Sequence, residues 1–302
     1  MAQQIVQLAQ AGNRVISSSI GFYLEEPGDG TGAVSSAINT ATNTHGALYC
    51  QAAGNQALYH WDGLFTDPDG NGTLNFTSLA DVNQLGYLPP GTPINLFLRW
   101  NDWPTSDQDY DLYLLFSTGT SWQVIAVSEF EQTGTQPPVE FISGTTSSTG
   151  YYGFAIVKYS ANGNQVLDIM GHNMPSFQFN RPQRSLVDPA TADRSFSVAA
   201  VDVSSLVRES YSSQGPTHGP GGSLTGGRAK PRISGFANVD TWSYGPGQFN
   251  GTSAATPHVA GAAALVRQAF PALSALSVMQ WLEGRALDRG VAGYDYLYGW
   301  GR

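Results

Sequence analysis

One stretch, FNGTSAATPHVAGAAALV (Phe249 to Val266), holds residues whose types and order could do chemistry. Gly251 allows a tight turn, and Ser253 then stands in the first turn of a helix. The unpaired N–H groups and positive dipole end of a helix favour developing negative charge there. Pro257 suits a first helical turn, where its missing N–H costs little. Val259 to Leu265 are small and apolar, so the helix reads as apolar on nearly every side and hence buried. A serine at the mouth of such a helix is mounted as a rigid nucleophile would be. By itself, a serine at a helix start is far more often an N-cap.

The elements that must position this serine lie upstream. Ile5, Leu8 and Ala9 recur at helical spacing, with Gly12-Asn13 as the C-cap. Val15 and Ile16 open a short strand that runs into Ser17 to Ser19 and Gly21. Val34, Ala37, Ile38 and Ala41 mark a second amphipathic helix. Ala47 to Ala53, bounded by Gly46 and Gly54, reads as a buried strand. Helix, strand, helix, strand with short loops implies a parallel sheet covered by helices. Ligands of such sheets sit beyond the C-terminal strand ends. Ser18-Ser19-Ile20-Gly21 and Ala52-Ala53-Gly54-Asn55 both lie there.

GTSAATPHVAG, Gly251 to Gly261, resembles the serine motif of the subtilisin-like serine proteases, the subtilases. VISSSIG resembles the family's substrate-lining segment, and QAAGNQ the strand ending in its oxyanion-hole asparagine. The resemblance implies Ser253 as nucleophile and Asn55 as side-chain donor to the oxyanion, with the Ser253 N–H as second donor. It implies a substrate cleft lined by Ser18, Ser19, Ile20, Gly21, Ala52, Ala53, Gly54, Gly251 and Thr252. Taken alone, Gly54-Asn55 is an ordinary turn. SLVDPATADRSFSVAAVD resembles the next core strand, with Phe196 to Val201 as the strand, and YSSQGPT an SSRGP-type segment with Gln214 in place of arginine. KPRISGFANVDTWSYG departs from the family pattern at Arg232, Phe236 and Ala237, and GYDYLYGWGR resembles the closing segment. Ser274 reads as the N-cap of a last helix.

From about Tyr59 to about Met174 the periodicity changes from helix to strand. Ile94, Leu96, Leu98 and Trp100 alternate with Asn95, Phe97 and Arg99; Leu112, Leu114 and Phe116 alternate with Tyr113 and Leu115. Turn clusters such as Pro89-Pro90-Gly91 separate such runs, as in an antiparallel sandwich. LRWNDWPTSDQDYDLYL looks like jelly-roll domains attached to or inserted in secreted subtilases. The expected fold is therefore α/β: a subtilisin-like parallel sheet flanked by helices, its N-terminal part missing, interrupted by an antiparallel β-sandwich. The expected domains are 1–58 and 175–302 for the core and 59–174 for the insert.

Two acidic patterns in the insert could hold a cation. Asp67, Asp69 and Asn71 precede Gly72 as in a calcium loop, but Ser78 stands at the twelfth position, which excludes an EF-hand. Asp107, Asp109 and Asp111 alternate and would share one face of a strand. Solvated turn residues account for both patterns. No cofactor is required, and calcium stays open as an alternative.

The 302 residues include 23 acidic and 14 basic ones, a net charge of -9 that argues against a nucleic-acid partner. A single cysteine, Cys50, allows no internal disulfide. No apolar run approaches a membrane span, and MAQQIVQLAQAG lacks the features of a signal peptide. Family resemblance implies a secreted protein acting on protein or peptide substrates. A serine needs a base, and in subtilases the order along the chain is Asp, His, Ser. Neither an Asp nor a His motif is present. His258 lies five residues beyond Ser253, about 140° round the helix, and His45, His60, His172 and His218 offer no substitute. The expectation is a partial chain of a serine endopeptidase, inactive or very weak on peptides alone, completed by an N-terminal segment or by self-association. The alternatives are a pseudoprotease that binds through the sandwich and a weak serine esterase.

Overall fold

The computed structural model describes residues 1–302. The chain opens with α1 (Ala2–Gln10), β1 (Val15–Ser18), α2 (Ala33–Asn43) and β2 (Leu48–Ala52). Eight strands follow: β3 (His60–Leu64), β4 (Asn83–Leu88), β5 (Pro93–Trp100), β6 (Asp109–Ser117), β7 (Gln123–Ser128), β8 (Val139–Thr145), β9 (Gly150–Ser160) and β10 (Val166–Gly171). The last part holds β11 (Ser195–Asp202), β12 (Ile233–Ala237), β13 (Val239–Thr241), β14 (Gly245–Phe249), α3 (Thr252–Ala269) and α4 (Ala275–Glu283). These form two compact units. One comprises Met1–Ala57, Gln183–Gly219 and Gly226–Arg302; the other comprises Leu58–Pro182 and Pro220–Thr225.

In the first unit, β1, β2, β11 and β12 form a parallel sheet in that spatial order. Both faces are covered, which is why β2 is buried at all five positions. Its alternation sorts the residues. Leu48 and Cys50 join Phe196, Val198 and Ile233 in a core with α3 and α4, while Tyr49 joins Ile5, Ala37, Ile38 and Ala41 beneath α1 and α2. Small residues let α3 pack close. A Cβ at Gly235 would lie 2.3 Å from the Ala255 carbonyl oxygen. The expectation of a helix buried all round does not hold. α3 buries Ala254, Ala255, Val259, Ala260, Ala263 and Val266 but leaves Leu265 67% exposed. Alanine and glycine make its outer face apolar without requiring a neighbour there.

The second unit is built from two antiparallel sheets, β3-β10-β5-β8 and β4-β9-β6-β7. Its core is one aromatic-rich cluster that includes Trp61, Phe65, Phe76, Leu98, Trp100, Tyr110, Phe154 and Ile169. The alternation seen at 94–100 follows from this: Ile94, Leu96, Leu98 and Trp100 face the core. The fold gives the two acidic patterns different fates. Asp107 is exposed, takes the Gln108 amide at 2.6 Å and precedes β6, so it does not join Asp109 and Asp111 as the spacing suggested.

Candidate active site

α3 packs against both β1 and β2, and its first turn meets the loop that follows β2. Gly54 turns that loop at φ 111°, where a Cβ would strike Val187, Gln56 and Ser213. Asn55 comes next. Its Oδ1 accepts the Thr252 N–H and the Thr252 hydroxyl, each at 2.9 Å. The same hydroxyl accepts the Gly54 N–H at 3.2 Å. With its oxygen held twice, the Asn55 amide has one orientation, and Nδ2 faces Gly251. Gly251 has φ 85°, and a Cβ built on it would lie 3.0 Å from Asn55 Nδ2 and 3.6 Å from the Ser253 nitrogen. Glycine therefore keeps open a space flanked by the Asn55 amide nitrogen and the Ser253 nitrogen. The helix N-terminus adds its own partial positive charge.

A second set of bonds holds this loop. The Asn55 N–H donates to Gln56 Oε1 at 2.6 Å, the Gln56 N–H donates to Ser213 Oγ at 3.0 Å, and Gln56 Nε2 donates to the Tyr23 hydroxyl at 2.7 Å. The Gly251 N–H donates to the Tyr211 hydroxyl at 2.8 Å. Burial pushes the Tyr211 phenol up to about 12, so it stays neutral. Gln56, Tyr211 and Ser213 lie in segments that resemble the family's, but the bonds from Gln56 to Tyr23 and Ser213 and from Gly251 to Tyr211 join residues more than 30 apart, which no local spacing marks.

The strand ends differ in what they offer. The Ser19 hydroxyl donates to the Ser253 carbonyl at 3.1 Å, and Gln51 Nε2 donates to the Ile20 carbonyl at 2.9 Å. Ile20 is exposed, Ser18 is buried, and Gly21 sits where a Cβ would meet Val187 at 2.6 Å. Ala52 and Ala53 bury their side chains, and the Ala53 backbone bonds Val198 and Val187. Ser253 itself is half-buried.

None of the five histidines stands as a base for it. His258 Nδ1 faces the Ala254 carbonyl of its own helix at 2.8 Å. His60 lies in the second unit against Asp168 at 3.1 Å; burial alone would lower its pKa, but Asp168, Asp62 and the Arg181 carbonyl together outweigh burial and raise it. His172 is lowered by burial, His45 follows α2, and the His218 backbone N–H donates to the Gly28 carbonyl at 3.1 Å. Cys50 is fully buried, and burial pushes its thiol up to about 12, so it is inert. In the Asp67–Gly72 loop the acids are already bonded within the chain. Asp67 takes the Asn71 and Gly72 N–H groups, and Asn71 Nδ2 bridges Asp69 at 3.0 Å and Asp81 at 2.8 Å.

A model of the subtilase family matches residues 1–301. Over 233 residues the chain is 30% identical to subtilisin DY of Bacillus licheniformis, a match covering 76% of this chain and 74% of that one. Over 85 residues it is 42% identical to an extracellular serine protease of Serratia marcescens, which is 26% of this chain but 8% of the Serratia protein. The chain thus matches only a small part of that relative's length. The CspB protease of Clostridium perfringens has the same fold, with a TM-score of 0.64 at 17% identity, covering 100% of this chain and 68% of that one. No helix is long and apolar enough to cross a membrane. The chain belongs to the subtilase family.

Proposed function

We propose that the chain supplies the nucleophile and the oxyanion donors of a serine endopeptidase acting on protein or peptide substrates. One observation carries this reading: Asn55 Nδ2 and the Ser253 nitrogen lie 3.0 Å and 3.6 Å from the point that a Cβ on Gly251 would occupy. Ser253 Oγ attacks the scissile carbonyl carbon and gives up its proton to a base. The carbonyl oxygen becomes an oxyanion held by Asn55 Nδ2 and the Ser253 N–H. The C–N bond then breaks, the amine leaves with the proton, and water releases the acyl group from Ser253. The substrate backbone lies between the segments Ser18 to Gly21 and Ala52 to Gly54. The histidine base and its aspartate come from outside these 302 residues, since the five histidines present are placed elsewhere. The names of the Serratia relatives support secretion.

The test is intact mass after fluorophosphonate treatment. Once the histidine and aspartate are supplied, a single adduct, lost in Ser253→Ala, is the expected result. An adduct that survives Ser253→Ala overturns the assignment. No adduct on a folded protein supplied with that histidine and aspartate would favour a non-catalytic protein that binds through the sandwich.

A further inference from the structure

The first unit has a polar cavity at the end of its sheet opposite to Asn55. Ser195 opens β11 and Arg232 immediately precedes β12, so the cavity they line lies at the N-terminal ends of these parallel strands. Gln280 of α4 lines it as well, and its volume is about 200 Å³. Two guanidinium groups reach it, and each is paired along one edge only. Arg232 donates from Nε and Nη2 to Glu283 at 2.6 Å and 2.8 Å, which leaves Nη1 without a bond in the chain. Arg194 Nε lies 3.2 Å from Asp193 Oδ2, which leaves both of its Nη atoms. The side-chain amide of the exposed Gln280 makes no bond within the chain. Ser195 is 1% exposed, and its hydroxyl has no partner. Behind this wall, Lys230 donates to the Asp193 and Ser195 carbonyls. Burial brings Lys230 down to about 7, and the charge of Arg232 is the next influence in the same sense, ahead of the opposing Asp193. Two carboxylates, Asp193 and Glu283, thus stand among three basic side chains. Arg232 is also a position at which the sequence departs from the family pattern.

We infer that this cavity binds a phosphoryl group, free or esterified, between Arg194 and Arg232. The groups left without partners are guanidinium N–H donors, an amide and a hydroxyl, a set that selects an oxyanion. They come from the segments before β11 and β12 and from α4, so they approach from several directions. That suits the four oxygens of a tetrahedral group better than a planar carboxylate, which the edge of one guanidinium satisfies. A doubly charged anion also offsets the mutual repulsion of the basic groups. Bound there, it ties the starts of β11 and β12 to α4 and stabilises the first unit by mass action.

The full chain is titrated by calorimetry with inorganic phosphate and, separately, with O-phosphoserine, at an ionic strength held constant with sodium chloride. A saturable one-to-one heat from at least one probe, with a matching rise in unfolding temperature, is expected. Binding of phosphate alone assigns the site to the free ion; binding of phosphoserine assigns it to an esterified group. Gln280→Glu changes an exposed side chain and should weaken binding by about tenfold through one added like charge. Gln280→Lys should strengthen it by a similar factor. Arg194→Gln should weaken it. Arg232→Lys keeps a charge beside Glu283 but removes the free guanidinium edge, and it should weaken binding too. A general salt effect of phosphate does not saturate and is the same in every variant. The site is overturned if neither probe gives a saturable heat, or if both Gln280 variants bind as the parent does.

Discussion

Thr252 decides what Asn55 can do. An asparagine amide presents a donor and an acceptor from one plane, and either could face a substrate carbonyl. The two bonds from Thr252 to Oδ1 remove that ambiguity and leave Nδ2 as the outward group. Asn55→Ala should therefore slow fluorophosphonate labelling and peptide turnover; in subtilisin itself, loss of such a donor costs about 10²–10³ in kcat. Thr252→Val keeps the side-chain shape and the backbone bond but removes the hydroxyl. The loss of one hydrogen bond, about 1 kcal/mol, should cost roughly fivefold to tenfold in labelling rate at unchanged fold. Equal rates for parent and Thr252→Val would show that the backbone bond alone orients the amide.

At the scale of elements, the site depends on how closely α3 lies on β12. The contact at Gly235 is backbone to backbone: its missing Cβ would fall 2.3 Å from the Ala255 oxygen and 2.9 Å from the Ala255 carbon. No rotamer change can relieve this. Gly235→Ala must push the helix away from the sheet, at a cost of about 1–3 kcal/mol. It should lower the urea midpoint, and an unchanged midpoint would refute the close approach. This element also shows what can be read from sequence. The serine motif, the paired strands and the N-cap Ser274, whose side chain accepts the Ser277 N–H at 3.1 Å, are local patterns of residue type. The exposure of Leu265 is not local, because composition shows that a helix is apolar but not how many neighbours it has. The Thr252 clamp joins residues 197 apart, and the burial of Asp109 and Asp111 depends on a loop beginning some 18 residues later. Spacing within a motif carries no trace of either.

At the scale of the whole molecule, the two units keep separate cores, and a buried lysine makes the stability of one of them depend on pH. Lys230 is 2% exposed, and its ammonium donates to the Ser195 and Asp193 carbonyls. Burial, and then Arg232, bring its pKa down to about 7, against 10.5 in the unfolded chain. Between these values the unfolded chain binds a proton that the folded chain does not, so stability rises as pH increases above about 7. Glu26 acts in the opposite sense but at lower pH. Burial raises it from 4.5 to about 7, so its contribution is lost as pH rises through that range. The Lys230 effect is therefore read between pH 7 and 8.5, above Glu26 and below the 9.0 of an unfolded cysteine. Cys50, the single cysteine, is fully buried in β2 of the same unit and reports its opening directly. Pulsed thiol labelling across a urea series should show the Cys50 midpoint moving to higher urea from pH 7 to pH 8.5. Lys230→Met replaces the ammonium with an apolar chain of similar length and should make that midpoint independent of pH. A parent midpoint that stays fixed or falls over this interval would mean that Lys230 keeps its proton in the fold, held by the two carbonyls against the cost of burial.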